Sequence, residues 1–182
     1  MHRDGKVWEQ TYHRGTPAGP VRTVAKGRHA PPTLPWKAPV RQPSGTITTF
    51  HADAQVFPVI DYDFETVAQR LREAAYLNKG LLIVFRDERT DRDLNFFFDG
   101  GVVSFVRHLN RSHAVLHPRP VHVEKTFENG TMVEVALQYN EGFAEHVYTF
   151  ANNINTIDGG AHLTGFRTAL TRTLNTYARK AG

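Results

Sequence analysis

At 182 residues, with 40% apolar side chains, the chain is long enough for one ordinary domain or two small ones with a real core. Its formal charge is +4, but the basic excess sits in the first quarter: Met1–Ser44 holds eight Lys and Arg against two Asp and Glu, and the remainder is slightly acidic. The absence of cysteine excludes disulfides, a thiolate nucleophile and a thiolate zinc site, and no run approaches the roughly 18 apolar residues of a membrane helix. The polar start MHRDGKVWEQ has no signal-peptide core, so a cytoplasmic protein without a membrane span is expected.

Lys6–Gly15 alternates as a strand running into a glycine turn. The next stretch, Thr16–Ser44, holds seven of the ten prolines and is expected to be extended loop, because proline offers no ladder donor and restrains its predecessor. Its Lys26, Arg28, Trp36, Lys37 and Arg41 interleave charge with an aromatic ring, as a solvated loop or a nonspecific nucleic-acid grip would. Gly45–Asp53 is β-branched and predicts a strand.

Asp63 is placed to cap a helix whose Phe64, Val67, Ala68, Leu71 and Ala75 recur on one face, with Gly80 as its stop. LLIVFRDE and LNFFFDGG predict two strands around the charged turn Asp87–Asp93. Val102, Phe105, Val106 and Leu109 predict a short helix after Gly100 and Gly101. His117–Pro120, sequence HPRP, interrupts the pattern and marks a candidate domain boundary. Asn129-Gly130 predicts a hairpin between VHVEKTF and TMVEVALQYN, and EHVYTFANNI a further strand. From about His162 a helix is expected, with Leu163, Phe166, Leu170, Leu174 and Tyr177 as the packing stripe. Arg172 and Arg179 fall opposite that stripe and Arg167 on its flank, while Asp158 and His162 bracket the turn made by Gly159 and Gly160. Hairpins mixed with helices predict an α+β fold without internal repeats.

The residues also carry a resemblance. LNKGLLIVFRDER, FFFDGGVVSFVRHLN and VEVALQYNEGFAEHVYTFANNINTIDGGAHLTGFRTALTRTLNTYARK, in that order and spacing, resemble the B subunit of bacterial DNA gyrase, and NNINTIDGGAHLTGF is the most specific of these segments. The B subunit of topoisomerase IV has a similar segment. The resemblance implies a GHKL-type ATP-binding domain whose tail is residues 1–100, with a proline-rich loop at 16–44, followed by a transducer domain of ribosomal-protein-type β-α fold at 101–182, cut short at its C-terminus. For the intact enzyme it implies ATP and magnesium as cofactors, DNA as substrate, a gyrase A partner, and a homodimer of B subunits that passes one duplex through another. It further implies that Thr46 belongs to the adenine side of the nucleotide site, although an ordinary strand threonine is nearly as good a reading. Asn153, Asp158, Gly159, Gly160 and His162 form the transducer signature, and Arg167, Arg172 and Arg179 are the candidate DNA contacts.

The family's glutamate base, magnesium-holding asparagine and phosphate-wrapping loops precede the matched region, and its Gln-Thr-Lys loop and metal-binding TOPRIM domain lie past ARKAG. No Asp-x-Gly-x-Gly element occurs in the sequence, so the polypeptide alone is expected to be inactive, with no catalytic residue and no bound metal. Ala161 departs from the family's usual threonine and loses a hydroxyl suited to capping. The alternative class is a stand-alone transducer-like module that binds DNA or a topoisomerase partner. His108, His113, His117 and His122 are too irregularly spaced to predict a metal centre, and no Gly-x-Ser-x-Gly elbow supports a hydrolase.

Overall fold

The computed structural model describes residues 1–24 and 45–182; the basic aromatic cluster from Lys26 to Arg41 lies outside them. Compactness divides the chain into two units, Met1–Tyr62 and Asp63–Gly182.

In the first unit, β1 (His2–Arg3), β2 (Lys6–Glu9) and β5 (Arg22–Val24) form a three-stranded antiparallel sheet in the order β1-β2-β5, and Val7 is its buried residue. The strand expected over Lys6–Gly15 stops at Glu9. Tyr12–His13 (β3) and Thr16–Pro17 (β4) instead fold into a separate hairpin around Arg14-Gly15, whose positive φ angles of 49° and 80° turn the chain. Thr16–Pro17 and Arg22–Val24 are thus short strands inside the segment expected to be loop. Gly45–Asp53 is no strand. Among the described residues only Gly45 finds a bridge partner, exchanging hydrogen bonds with His2 at 2.7 and 2.9 Å. β-branched residues fit a pleated surface but do not make one, and the rest of the segment has no neighbouring ladder among the described residues.

The second unit begins with α1 (Phe64–Leu77), for the reason the sequence gives: Asp63 Oδ1 accepts from Thr66 N at 2.8 Å and from Thr66 Oγ1 at 2.6 Å. These bonds hold the Asp63 carboxyl below its ordinary pKa. β6 (Leu82–Asp87) and β7 (Arg92–Phe97) pair antiparallel, with Phe85 opposite Leu94 and Ile83 opposite Phe96, so alternation turns these four onto α1. Phe64, Ala68, Ala75 and Phe96 form the core of this layer. Asp87 closes the β6–β7 turn by accepting from Arg89 N, Nε and Nη2 at 2.9–3.0 Å, which lowers its pKa to about 2.

α2 (Gly101–Leu109) packs on α1 and starts at Gly101, whose φ of 54° favours glycine beside the Tyr76 carbonyl. Tyr76 stacks on Phe98 at 3.6 Å and on Phe105 at 5.0 Å, and Phe105 continues to Tyr148 and Phe150 at 5.4 and 6.3 Å. α2 also packs on the second hairpin, β8 (Val121–Thr126) and β9 (Met132–Leu137), which turns at Asn129-Gly130 as expected, with Gly130 at φ 80°. His117–Pro120 lies inside this second unit, where Gln138 Nε2 donates to the His117 carbonyl at 2.8 Å. Compactness therefore separates the chain ahead of both boundaries suggested by the sequence.

The strand expected over EHVYTFANNI contracts to Phe150–Ala151 (β10), paired with Ile154–Asn155 (β11); Glu145–Thr149 has no strand partner. The chain then enters α3 (Ala161–Ala181). No residue of α3 is buried. Leu163, Phe166 and Leu170 are half-covered, but Leu174 and Tyr177 are 51% and 72% exposed, so the expected packing stripe meets a neighbour only in its first half.

Candidate functional site: a latched turn and a cationic helix

The segment leading into α3 is a tight device built from small polar residues. Asn152 and Asn153 both take left-handed conformations, φ 49° and 66°, which asparagine tolerates and the two-residue β10–β11 turn requires. Just outside that hairpin Thr149 and Thr156 close a second layer. Thr156 N donates to the Thr149 carbonyl at 2.8 Å, and the two hydroxyls lie 2.6 Å apart. Thr156 Oγ1 also lies 3.0 Å from His162 Nε2, so the first turn of α3 is tied back to the hairpin that precedes it.

Between these anchors Gly159 N donates to the Thr156 carbonyl at 2.9 Å, with Gly159 at φ 75° and Gly160 at φ 147°. The conformation of Gly160 favours glycine, and a Cβ there would sit 2.8 Å from the exposed His162 ring, which would have to move aside. Gly160 offers no side-chain cap, and its carbonyl takes the first helical bond from Thr164 N at 3.1 Å. This is the site where Ala161 lacks a hydroxyl. Asn153 at the hairpin tip donates through Nδ2 to Asn78 Oδ1 at 3.1 Å, reaching the C-cap of α1. Asn78 in turn donates to the Ala74 carbonyl at 2.7 Å.

Of the signature residues, Asn153, Gly159, Gly160 and His162 thus act together in one latch, whereas the exposed Asp158 has no hydrogen bond or ion pair among the described residues. Thr149, Thr156 and Asn78 complete the latch and escape a reading of the sequence. The threonine spacing carries a weak signal, two hydroxyls flanking a turn pair, while Asn78 lies 75 residues from its partner and carries none.

The three candidate arginines divide. Arg167 Nη2 lies 3.1 Å from Glu145 Oε1, an exposed ion pair. Arg172 and Arg179 are exposed and have no acidic partner among the described residues. Arg172 borders a shallow groove lined by Ala161, Thr164, Gly165, Thr168, Ala169 and Thr173. Thr46 is exposed in irregular chain, in the other unit. Among the described residues no helix is long and apolar enough to cross a membrane.

Residues 101–182 match the family model described as DNA gyrase B. The DNA gyrase B subunit of Myxococcus xanthus is 47% identical over 180 residues, which is 99% of this chain and 20% of that protein. The corresponding gyrase protein of Clostridium acetobutylicum is 44% identical over 179 residues, 98% of this chain and 26% of that one. The DNA topoisomerase 4 B subunit of Streptococcus pneumoniae is 39% identical over 180 residues, 99% and 26%. Among solved structures, the B-subunit of the DNA gyrase from Myxococcus xanthus superposes with a TM-score of 0.76 at 28% identity, covering 96% of this chain and 47% of that one. The 43K ATPase domain of Thermus thermophilus gyrase B, in complex with an aminocoumarin, superposes at 0.73 and 33% identity, covering 100% and 46%.

Fold and sequence together define the class that this chain is similar to: the B subunits of DNA gyrase and DNA topoisomerase 4. Within that class residues 101–182 match the DNA gyrase B family model, and nearly the whole chain is similar to DNA gyrase B subunits. It spans less than half the length of the relatives and solved chains it matches.

Proposed function

We propose that this chain supplies the link between nucleotide and DNA in an ATP-dependent strand-passing enzyme. In this reading residues 1–100 are the tail of the ATP-binding domain, with Thr46 on its adenine side, and residues 101–182 are the transducer. ATP and magnesium serve the intact enzyme, which works as a homodimer of B subunits with gyrase A and DNA in the cytoplasm. The polypeptide alone turns over no ATP, because its sequence carries no Asp-x-Gly-x-Gly element, no glycine-rich phosphate loop and no assigned general base.

One observation carries the reading. The Thr149–Thr156–His162 latch fixes the entry of α3, and α3 then presents Arg172 and Arg179 on one exposed side, without an acidic partner among the described residues. Two cations two turns apart on a helix held at its root suit phosphate contact without base reading. Asn153 on Asn78 and the aromatic series Phe98–Tyr76–Phe105–Phe150 tie that root to α1 and the end of β7, elements that fall within residues 1–100 and so, in this reading, belong to the tail of the ATP-binding domain.

The test is binding of the 182-residue chain to duplex DNA of two unrelated sequences across a salt series. The expected result is a linear fall of log affinity with log salt, equal for both duplexes, together with no magnesium-dependent ATP turnover. Salt-independent binding removes the phosphate-contact role, and saturable ATP turnover removes the division of labour between this chain and the rest of the enzyme.

A further inference from the structure

The β8–β9 hairpin carries an arrangement that the DNA and nucleotide reading does not use. Period-two alternation puts His122 and Glu124 on one face of β8, and the register sets Glu124 directly opposite Glu134 and His122 opposite Ala136 on β9. One donor atom from each of His122, Glu124 and Glu134 lies within 4.8 Å of the other two, and His122 Nε2 is 2.9 Å from Glu134 Oε1. Ala136 is small, so nothing bulky stands across from the imidazole. Like charges directly opposed across a ladder destabilise it, yet among the described residues no cation shares this face. The adjacent Lys125 alternates to the other side, its Nζ 5.0 Å from the Phe127 ring centroid. Among the described residues Glu124 has neither an ion pair nor a side-chain hydrogen bond, and the one compensation present is the His122–Glu134 contact.

We infer that this face binds a divalent transition-metal ion of the zinc class through His122, Glu124 and Glu134. One imidazole with two carboxylates is a borderline donor set, which suits zinc better than the all-oxygen shells of magnesium or calcium. Zinc bonds of about 2.0–2.1 Å in a tetrahedral site require donors about 3.3 Å apart. Their Cα positions are fixed by the ladder, so closing from within 4.8 Å to that spacing calls for side-chain rotation at the exposed His122 and Glu124 and the half-buried Glu134. The ion takes the place of the direct His122–Glu134 contact and neutralises the Glu124–Glu134 opposition. Three protein ligands leave a fourth position for water or for a group from outside the chain. The irregular spacing of the histidines hides this site in the sequence, because two of its three ligands are glutamates and one comes from across a hairpin.

Zinc chloride competed against a chromophoric chelator, with the full 182-residue chain, tests the assignment. One equivalent is expected to bind, and His122→Gln or Glu124→Gln should each weaken it at least about 10-fold, whereas His146→Gln, away from the hairpin face, should leave it unchanged. Far-UV circular dichroism establishes that the variants are folded. Zinc should also raise the melting temperature of the parent chain and not of His122→Gln. X-ray absorption of the zinc-loaded chain should show a single imidazole among oxygen donors. Equal affinity in parent and His122→Gln, a shell with several imidazoles, or no competition with the chelator each overturns the site.

Discussion

Arg167 Nη2 and Glu145 Oε1 stand 3.1 Å apart, joining the flank of α3 to the irregular segment before β10. Both side chains are more than half exposed, so the pair adds little to stability, but it places a carboxylate where a phosphate would compete. Arg172→Ala and Arg179→Ala should therefore each lower the slope of log affinity against log salt by about one, and Arg167→Ala by less. Glu145→Gln should tighten binding by freeing Arg167. Fluorescence anisotropy on a short duplex decides this: equal effects of the three arginines, with Glu145→Gln silent, would sink the distinction.

His108 gives the second unit a defined response to acid. Burial against Tyr76, then the charges of Arg111 and Arg72, lower its pKa below the ordinary histidine value of 6.5. Arg111 Nη1, a donor only, lies 2.8 Å from the ring Nε2, an approach that needs a neutral nitrogen. The unfolded chain takes up a proton at this residue as pH drops through 6.5, and the folded chain resists it. His108 thus contributes stability that is full above pH 6.5 and is lost as pH falls below it. Urea midpoints at about pH 7.5 and about pH 5.5 should differ more for the parent than for His108→Phe. An identical drop in both would assign the acid sensitivity to other groups.

Much of this fold is legible in the sequence because local chemistry and tertiary context agree between Asp63 and Leu137. Asp63 caps α1, the Phe64–Ala75 face is the face that packs, and Asn129-Gly130 turns β8 into β9. Misreadings fall where a pattern needs a partner from elsewhere. Gly45–Asp53 has strand propensity and no ladder, and Leu174 and Tyr177 have helical spacing and no cover. A periodic stripe specifies that something packs there but not what. Gly159, Gly160 and His162 stand out in the sequence as a turn, whereas Thr149, Thr156 and Asn78 become part of it only once the chain has folded back.

Adjacent phenylalanines test the β6–β7 register. Phe96 is 5% exposed and sits in the core beside Ala68 and Ala75, while Phe97 is 54% exposed on the opposite face. Phe96→Ala should cost about 3–5 kcal/mol and Phe97→Ala under about 1 kcal/mol in chemical denaturation. Comparable losses at the two positions would mean that the strand is not held in this register.

Gly160→Ala probes the latch itself. At φ 147° an alanine is strained, at a cost of about 1–3 kcal/mol, and its Cβ would meet the His162 ring at 2.8 Å. The ring must then move, and its link to Thr156 Oγ1, now 3.0 Å long, is the first to break. The effect of Gly160→Ala should for that reason overlap that of His162→Ala, giving a double variant less destabilised than the sum of the two single variants. A denaturant-based double-mutant cycle reads this coupling. If the two effects simply add, Gly160 serves the backbone alone, and the entry angle of α3 is set without the histidine.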